Sequence, residues 1–194
     1  MNNETKNKET KNPNKFTTKQ IVLTGVMAAI VFVSNYISFK IPVIAGAPTR
    51  IHIANGFCMI AAMALSPLTG GLAAGIGSMF YDFTNPAYIS SAPFTFINKF
   101  LMAFVAGKIA NMKGKKAENI GFNIIGASVG QLVYIALYLT KKFIKGLLVG
   151  NPVETVLASC ATSLVSSLIN AVIAVVLVVL LLPAFRIAVK KVNH

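Results

Sequence analysis

The chain has 194 residues, of which 55% are hydrophobic and only 12% are charged, and its formal net charge is +13. About a quarter of the residues in a soluble domain are charged, so this composition excludes an ordinary soluble protein. A membrane-spanning helix needs about 20 apolar residues, so the length allows about six spans joined by short loops. The positive charge requires no nucleic acid partner, because basic cytoplasmic loops meet anionic lipid headgroups.

Seven regions follow one another along the chain. Residues 1–20 are polar and rich in lysine and asparagine, which predicts a disordered cytoplasmic tail. Residues 21–194 form one predicted membrane domain with six apolar segments. These segments are Ile21–Phe39, Ile51–Ser66, Gly70–Thr84, Pro93–Asn111, Ile120–Leu139 and Val153–Phe185. Lipid cannot satisfy open backbone groups, and the alternating pattern of a membrane barrel is absent, so we predict an all-α bundle of six transmembrane helices.

The distribution of basic residues predicts the orientation of this bundle. With a cytoplasmic N-terminus, 12 of the 18 basic residues lie in inside segments and five lie in outer loops, while Lys99 falls within a span. This excess predicts that both termini are cytoplasmic. The outer cluster of Lys141, Lys142 and Lys145 opposes that orientation, and the sequence gives it no role.

Polar groups at the start of the second span form the first candidate site, because such groups are costly in a membrane. Arg50 and His52 are two residues apart and Asn55 follows them. A helix would place Arg50 and His52 on different faces, whereas an extended segment would place them on one face. They either form a hydrogen-bonding wall for a polar ligand, or they reach the lipid interface and pair within the protein.

A second candidate site lies at the end of the third span, where Tyr81 and Asn85 share a helix face on either side of Asp82. Asp82 is one of only five acidic residues. It either forms a structural ion pair with a basic residue such as Lys99 or Arg50, or contacts a ligand.

The fourth and sixth spans supply the remaining candidates. Lys99 needs a partner in an apolar helix, and its neighbour Asn98 can both donate and accept, which suits a heterocycle with amide-like edges. Asn170 ends a stripe of hydroxyl side chains in the sixth span. The stripe indicates hydrogen bonds between or within helices, and Asn170 is also a candidate ligand contact.

Two spans carry small residues at a spacing typical of helix contacts, and the sequence lacks enzyme motifs. Gly25 and Ala29 in the first span, and Gly71 and Gly75 in the third, have the spacing that lets helices approach closely. Cys58 lies in an apolar run and has no metal-site spacing. Signatures of hydrolases, metalloproteases and nucleotide-binding loops are absent. We therefore expect no enzyme activity, no metal and no cofactor.

Residues 24–109 resemble the substrate-binding S component of an energy-coupling factor (ECF) vitamin transporter, in the riboflavin/hydroxymethylpyrimidine-like branch. The stretches that carry the resemblance are Thr24–Ile30 (TGVMAAI), Thr49–Gly56 (TRIHIANG), Leu65–Gly77 (LSPLTGGLAAGIG), Ser78–Phe83 (SMFYDF) and Ala92–Gly107 (APFTFINKFLMAFVAG). Residues 110–194 match the family only in helix count and polarity.

This resemblance implies a multi-pass protein of the bacterial plasma membrane that binds a vitamin near the outer surface. It implies a coupling transmembrane subunit and two ATPase subunits as partners. Gly25, Ala28 and Ala29 would meet the coupling subunit, and Ile41–Thr49 would form a lid loop. Asn98 and Lys99 would line the ligand pocket, and the Arg50, Asp82 and Asn85 side chains would lie near it.

The identity of the substrate stays open at this point. Tryptophan is absent, so the aromatic density expected around a flavin is not obvious. Riboflavin and a smaller pyrimidine-, pyridine- or thiazole-type vitamin are both compatible with the sequence. The alternatives to an S component are a stand-alone secondary transporter of a small metabolite, for which acidic residues are sparse, and a small membrane enzyme or assembly factor.

Overall fold

The computed structural model describes residues 16–42 and 49–193. Within these ranges the chain forms six α-helices and one antiparallel two-stranded sheet. The elements are α1 (Thr18–Ser34), β1 (Ser38–Ile41), β2 (Thr49–His52), α2 (Ala54–Ala64), α3 (Pro67–Phe83), α4 (Ala92–Ala110), α5 (Ile120–Leu148) and α6 (Val153–Asn193). Short 3-10 turns at Ile89–Ser91 and Met112–Gly114 precede and follow α4.

The first helix differs from its predicted span at both ends. It begins at Thr18, because the Thr17 hydroxyl accepts a hydrogen bond from the Gln20 amide while the Gln20 side chain bonds back to Thr17, forming a capping box. The helix therefore starts inside the region predicted as a tail, of which residues 1–15 lie outside the described residues. It ends at Ser34, five residues before the predicted end at Phe39.

A β-hairpin is the main departure from the predicted all-α class. Ser38–Ile41 pairs with Thr49–His52, with Lys40 opposite Arg50. The predicted helical ends at Phe39 and Ile51 are wrong, because both residues lie in strands. The sequence has proline at positions 42 and 48, and proline disfavours a continuous helix. Arg50 and His52 both lie in β2, so they share an extended segment, which is the condition under which they would lie on one face. The predicted lid loop, Ile41–Thr49, falls mainly on residues 43–48, which lie outside the described residues.

The last two helices are longer than predicted. α5 continues nine residues beyond Leu139, because lysine is a good helix former and its charge does not end the helix. α6 continues past Phe185 as one helix of 41 residues with Pro183 inside it. At 1.5 Å per residue α6 is about 60 Å long, roughly twice the thickness of a bilayer's hydrocarbon core. Much of it must tilt or extend beyond the lipid.

The short helix α2 is the centre of the bundle, and nine of its 11 residues are buried. Its neighbours approach at glycines: a Cβ on Gly70 of α3 would lie 2.2 Å from the Ala62 Cα, and one on Gly107 of α4 would lie 2.7 Å from the Ala62 carbonyl oxygen. About two turns further along α3, a Cβ on Gly77 would lie 2.3 Å from the Ala28 carbonyl oxygen of α1. The small residues thus permit contact between helix backbones.

A group of charged residues joins the α4–α5 connection to the far end of α6. Glu118 accepts hydrogen bonds from Lys190 (3.1 Å) and Arg186 (2.5 Å). These two bonds hold the pKa of Glu118 below its usual range. Because the cluster is exposed, its contribution to stability is small.

Three described helical segments are long and apolar enough to cross a membrane: Ile89–Ala110, Ile120–Leu148 and Val153–Val192. Thr18–Ser34 and Ala54–Ala64 are apolar but shorter. An 11-residue helix is about 16 Å long, so α2 alone is too short to span the hydrocarbon core of about 30 Å.

Candidate functional site

A cavity of about 420 Å³ opens at the end of the bundle where α5 ends and α6 begins. Its wall combines β2, the end of α3, the turn before α4, the first half of α4, the second half of α5 and the first half of α6. The volume lies in the range of about 300–1,000 Å³ that is usual for small-molecule sites. The lining residues are Thr49, Arg50, His52, Asp82, Tyr88, Ser91, Thr95, Asn98, Lys99, Tyr134, Tyr138, Lys141, Lys142, Lys145, Gly146, Val149, Asn151, Val156, Ser159, Ser167 and Asn170.

Arg50 is held in this wall by aromatic rings and one carboxylate. Its guanidinium carbon lies 4.4 Å from the centre of the Tyr81 ring and 4.7 Å from that of Tyr88. Its Nη2 lies 3.9 Å from an Asp82 carboxylate oxygen. The cation is therefore fixed by two cation–π contacts and an ion pair, and its charge remains directed at the cavity.

Asp82 is almost completely buried and is satisfied from two sides. It pairs with Arg50 and accepts a hydrogen bond from the Thr95 hydroxyl of α4. Of the two basic partners predicted for this carboxylate, Arg50 is the one found. A buried carboxylate needs such compensation, so Asp82 joins the end of α3 to β2 and α4.

Asn170 fastens the hairpin to α6. Its Nδ2 donates to the Arg50 carbonyl oxygen at 2.7 Å, and its Oδ1 accepts from the His52 backbone amide at 2.8 Å. Alternate residues of a strand point to the same face, so Arg50 and His52 both reach the cavity. Asn170 thereby sets the position of both side chains through the strand backbone.

Lys99 lines the cavity, and two amide side chains lie behind it. Its Nζ donates to Asn55 Oδ1, and the Asn55 Nδ2 donates to Gln131 Oε1 at 3.1 Å. The Lys99 Nζ also lies 4.5 Å from the centre of the Tyr134 ring. This chain of contacts joins α4, α2 and α5, and it supplies the partner that a buried lysine requires.

Several polar atoms of the wall are buried and have no hydrogen-bond partner among the described residues. They are Arg50 Nη1, His52 Nδ1 and Asn98 Oδ1. Buried polar groups are nearly always hydrogen-bonded, since an unpaired one costs free energy. A donor, an imidazole nitrogen and an amide oxygen in one cavity fit a ligand whose edge carries both donors and acceptors.

Of the nine predicted site residues, most line the cavity, two contact residues that line it, and one lies outside its wall. Six of the nine line the cavity: Arg50, His52, Asp82, Asn98, Lys99 and Asn170. Asn55 lies beneath Lys99, and Tyr81 stacks on Arg50. Asn85 shapes the turn after α3, where its Oδ1 accepts from the Ala87 amide at 3.2 Å, and it is not part of the wall.

Sequence reasoning missed the contribution of α5. Tyr134, Tyr138, Lys141 and Lys145 recur at spacings of four, three and four residues, so they share one helix face and line the cavity. The spacing indicates that these four residues share one helix face. The predicted end of the fifth span at Leu139 instead assigns the lysines to a loop.

The hydroxyl stripe of α6 mostly serves the helix itself. Thr162, Ser163 and Ser166 donate to the carbonyl oxygens four residues earlier, at 2.9 to 3.1 Å. This agrees with the interpretation of the stripe as hydrogen bonds within the protein. Asn170 differs from these hydroxyls because both ends of its amide contact β2.

The three small residues of α1 that were predicted to contact the coupling subunit differ in their exposure. Gly25 and Ala29 are exposed, and a Cβ added to Gly25 would have no atom within 4 Å. Ala28 is buried at the contact with Gly77. The exposed face of α1 therefore includes Gly25 and Ala29, while Ala28 packs within the chain.

The comparisons with known proteins identify the family. Residues 15–187 match the family model described as "ECF-type riboflavin transporter, S component". Among curated proteins, none matches the chain. The family match extends well beyond residue 109, into the helices that supply Tyr134, Tyr138 and Asn170. The chain is therefore a membrane protein of vitamin uptake and belongs to the family of S components of ECF-type riboflavin transporters.

Proposed function

We propose that this S component binds riboflavin from outside the cell and delivers it for ATP-driven uptake. In this proposal its partners are a coupling transmembrane subunit and two ATPase subunits, and both termini are cytoplasmic in the bacterial plasma membrane. The binding cavity then opens outward, and ATP use by the partners reorients the loaded subunit. The family's description supports the choice of a flavin.

The observation that carries the proposal is the combination of aromatic rings and unpartnered polar atoms in one cavity. Tyr88, Tyr134 and Tyr138 offer ring faces on which a flat heterocycle can stack. The buried atoms of Arg50, His52 and Asn98 offer contacts to its polar edge. These tyrosines supply an aromatic surface in a chain that has no tryptophan.

The size of the cavity favours riboflavin over the smaller vitamins. A single pyrimidine, pyridine or thiazole ring would leave most of about 420 Å³ unfilled. A three-ring flavin with its ribityl chain would bury more apolar surface against the same wall, and burial drives binding.

Calorimetry of the purified protein in detergent tests the substrate. Riboflavin, hydroxymethylpyrimidine, thiamine, pyridoxine and nicotinamide are titrated separately, and any molecule carried through purification is identified by mass spectrometry. We expect riboflavin to bind with a Kd well below about 1 μM, which corresponds to more than about 8 kcal/mol. If no compound binds more tightly than micromolar, the proposed function is wrong; if a single-ring vitamin binds best, the flavin assignment is wrong.

Uptake of labelled riboflavin into cells tests the partnership. The chain is expressed alone, with a coupling subunit and two ATPase subunits, or with ATPases that cannot hydrolyse ATP. We expect uptake only with the active ATPases. Equal uptake by the chain alone would instead identify a stand-alone transporter.

A further inference from the structure

The aromatic contacts of Arg50 continue beyond the cavity wall to Tyr36, in the turn between α1 and β1. The Tyr36 ring meets the Tyr81 ring edge to face, with 4.9 Å between their centres. The Arg50 guanidinium lies over the same Tyr81 ring at 4.4 Å. Phe32, on the last turn of α1, meets the Tyr36 ring edge to face at 5.4 Å. A continuous line of contacts thus runs from α1 through α3 to the cavity, although Tyr36 itself does not line it.

Hydrogen bonds hold Tyr36 at both its side chain and its backbone. Its hydroxyl lies 2.9 Å from the Thr84 hydroxyl. Thr84 donates its single hydroxyl hydrogen to the Tyr81 carbonyl oxygen at 2.7 Å, so Tyr36 is the donor in the contact with Thr84. The Tyr36 amide donates to the Val33 carbonyl at 3.0 Å, and its own carbonyl accepts from the Ser38 amide at 2.9 Å. The ring is therefore fixed against the end of α3.

A place at the membrane interface accounts for Tyr36 only in part. Tyrosine is common where a membrane protein meets both lipid and water, and Tyr36 is 54% exposed. A tyrosine that served only the interface would need no partner on α3, whereas Tyr36 bonds to Thr84 and packs on the buried Tyr81. Phe80 on α3 is equally exposed, at 53%, and its ring meets Phe83 outside this line of contacts. It is therefore a matched comparison.

The direction of the Arg50 guanidinium depends on the rings around it. Asn170 holds the Arg50 backbone, but the guanidinium lies several rotatable bonds away from the strand. Its ion pair with Asp82 is 3.9 Å long, beyond the range of a hydrogen bond, and gives the side chain little orientation. The faces of Tyr81 and Tyr88 are thus the contacts that orient the cation.

We propose that Tyr36 is a positioning residue for riboflavin binding: it holds the Tyr81 ring in place, and through that ring it aims the Arg50 guanidinium at the ligand. This inference rests on the proposed function. Arg50 Nη1 is buried and has no partner among the described residues, so a fixed guanidinium has a donor to offer a ligand acceptor. A donor that is already ordered binds at a smaller entropic cost than one that must be ordered by the ligand.

Calorimetry with riboflavin, on the full chain in detergent, tests the role of the ring. Y36L should raise the Kd about fivefold, which is the scale of one lost aromatic pair. Y36F keeps the ring and loses only the hydroxyl, so it should bind clearly better than Y36L. F80L, which removes an equally exposed ring of α3, is the control and should bind as the wild type does. The unfolding temperature of each variant is measured on the same samples.

A double-mutant cycle with R50K tests whether Tyr36 acts through Arg50. Lysine keeps the charge that the buried Asp82 needs, but it lacks the planar guanidinium that stacks on a ring. We therefore expect Y36L to raise the Kd less than about twofold in the R50K background. An equal rise in both backgrounds would show that Tyr36 supports the fold independently of Arg50, and would overturn the proposal.

The remaining outcomes separate this role from the proposed function. If the wild-type protein does not bind riboflavin, the proposed function fails. If it binds and Y36L changes the Kd no more than F80L does, Tyr36 serves the membrane interface and the positioning role is wrong. Binding by Y36F as weak as that by Y36L would also contradict a role for the ring. Y36M fills a similar volume without a ring, and it replaces Y36L in every comparison if the leucine variant does not fold.

Discussion

Asn98 and Lys99 are sequence neighbours on α4, but their side chains differ in the contacts that they make within the protein. The Lys99 ammonium is bound to Asn55 and lies against Tyr134, so it holds three helices together as well as lining the cavity. The Asn98 Oδ1 is buried and has no partner among the described residues. The two side chains should therefore respond differently to substitution.

Replacing Asn98 by alanine should weaken riboflavin binding without weakening the fold. Loss of one buried hydrogen bond to the ligand corresponds to about 1.4 kcal/mol, or a tenfold rise in Kd. Calorimetry gives the affinity, and thermal unfolding in detergent gives the stability. Asn111→Ala is the control, because Asn111 bonds to the Gly107 carbonyl at the other end of α4. Equal affinities for Asn98→Ala and wild type would remove Asn98 from the binding site.

Single residues were predictable where chemistry leaves few choices. Acidic residues are rare here, so a basic residue in the apolar part of the chain had few possible acidic partners, and the pair of Arg50 and Asp82 was among those named. Tyr134 and Tyr138 were not predicted, because a tyrosine in an apolar helix is equally compatible with a lipid interface. Only the neighbouring helices determine that these rings face a cavity.

At the scale of elements, the hairpin depends on one side chain of α6. Asn170 makes two hydrogen bonds with the β2 backbone, and β2 carries Arg50 and His52. The two-residue spacing of Arg50 and His52 would place them on one face only in an extended segment, and the sequence left that conformation open. It could not predict the pairing with Ser38–Ile41, because four residues at the end of an apolar run also fit a continuing helix.

Asn170→Ala should lower both stability and riboflavin affinity. Two hydrogen bonds are lost and the strand that positions Arg50 is released, which should cost about 1–3 kcal/mol of stability. Thermal unfolding and calorimetry measure the two effects on the same samples. Thr162→Ala is the matched control on α6, since among the described residues its hydroxyl donates to the Ala158 carbonyl of its own helix. A variant as stable and as tightly binding as the control would show that Asn170 does not position the hairpin.

Substitutions at two glycines distinguish packing within the chain from packing against the coupling subunit. Gly77→Ala places a Cβ 2.3 Å from the Ala28 carbonyl oxygen, so it should destabilise the isolated protein by about 1–3 kcal/mol. Gly25→Leu enters open space and should leave the unfolding temperature of the isolated subunit nearly unchanged. The same variant should reduce co-purification with the coupling subunit. Normal assembly of Gly25→Leu would exclude this face of α1 as the partner surface.

At the scale of the whole molecule, the cavity changes the interpretation of the basic residues. The cluster from Lys141 to Lys145 opposed an orientation with cytoplasmic termini when it was assigned to an outer loop. The structure instead places these lysines on α5, where they line the cavity.

Thiol labelling of intact cells tests the orientation directly. Asn151→Cys lies between α5 and α6 at the cavity end, and Lys115→Cys lies between α4 and α5 at the other end. Both are made in a Cys160→Ser background that retains the buried Cys58. A reagent that cannot cross membranes should label Asn151→Cys in intact cells and Lys115→Cys only after lysis. The reverse pattern would place both termini outside.

Six helices and a membrane environment were predictable from hydropathy alone, because apolar runs of this length have few other stable forms. Their spatial arrangement was not predictable. Gly77 packs on α1, whereas Gly71 faces Phe100 of α4, although both are glycines of α3. Which face of a helix meets which neighbour depends on the assembled bundle.

The placement of the tyrosines gives the protein an optical property of its own. Tryptophan is absent, so its ultraviolet emission comes from five tyrosines. Tyr88, Tyr134 and Tyr138 line the cavity, and Tyr81 stacks on Arg50 at its edge. A flavin absorbs ultraviolet light, so one bound among these rings should accept their excitation energy. Filling of the cavity should therefore dim the emission of the unlabelled wild-type protein, and occupancy can be followed in the membrane without a dye.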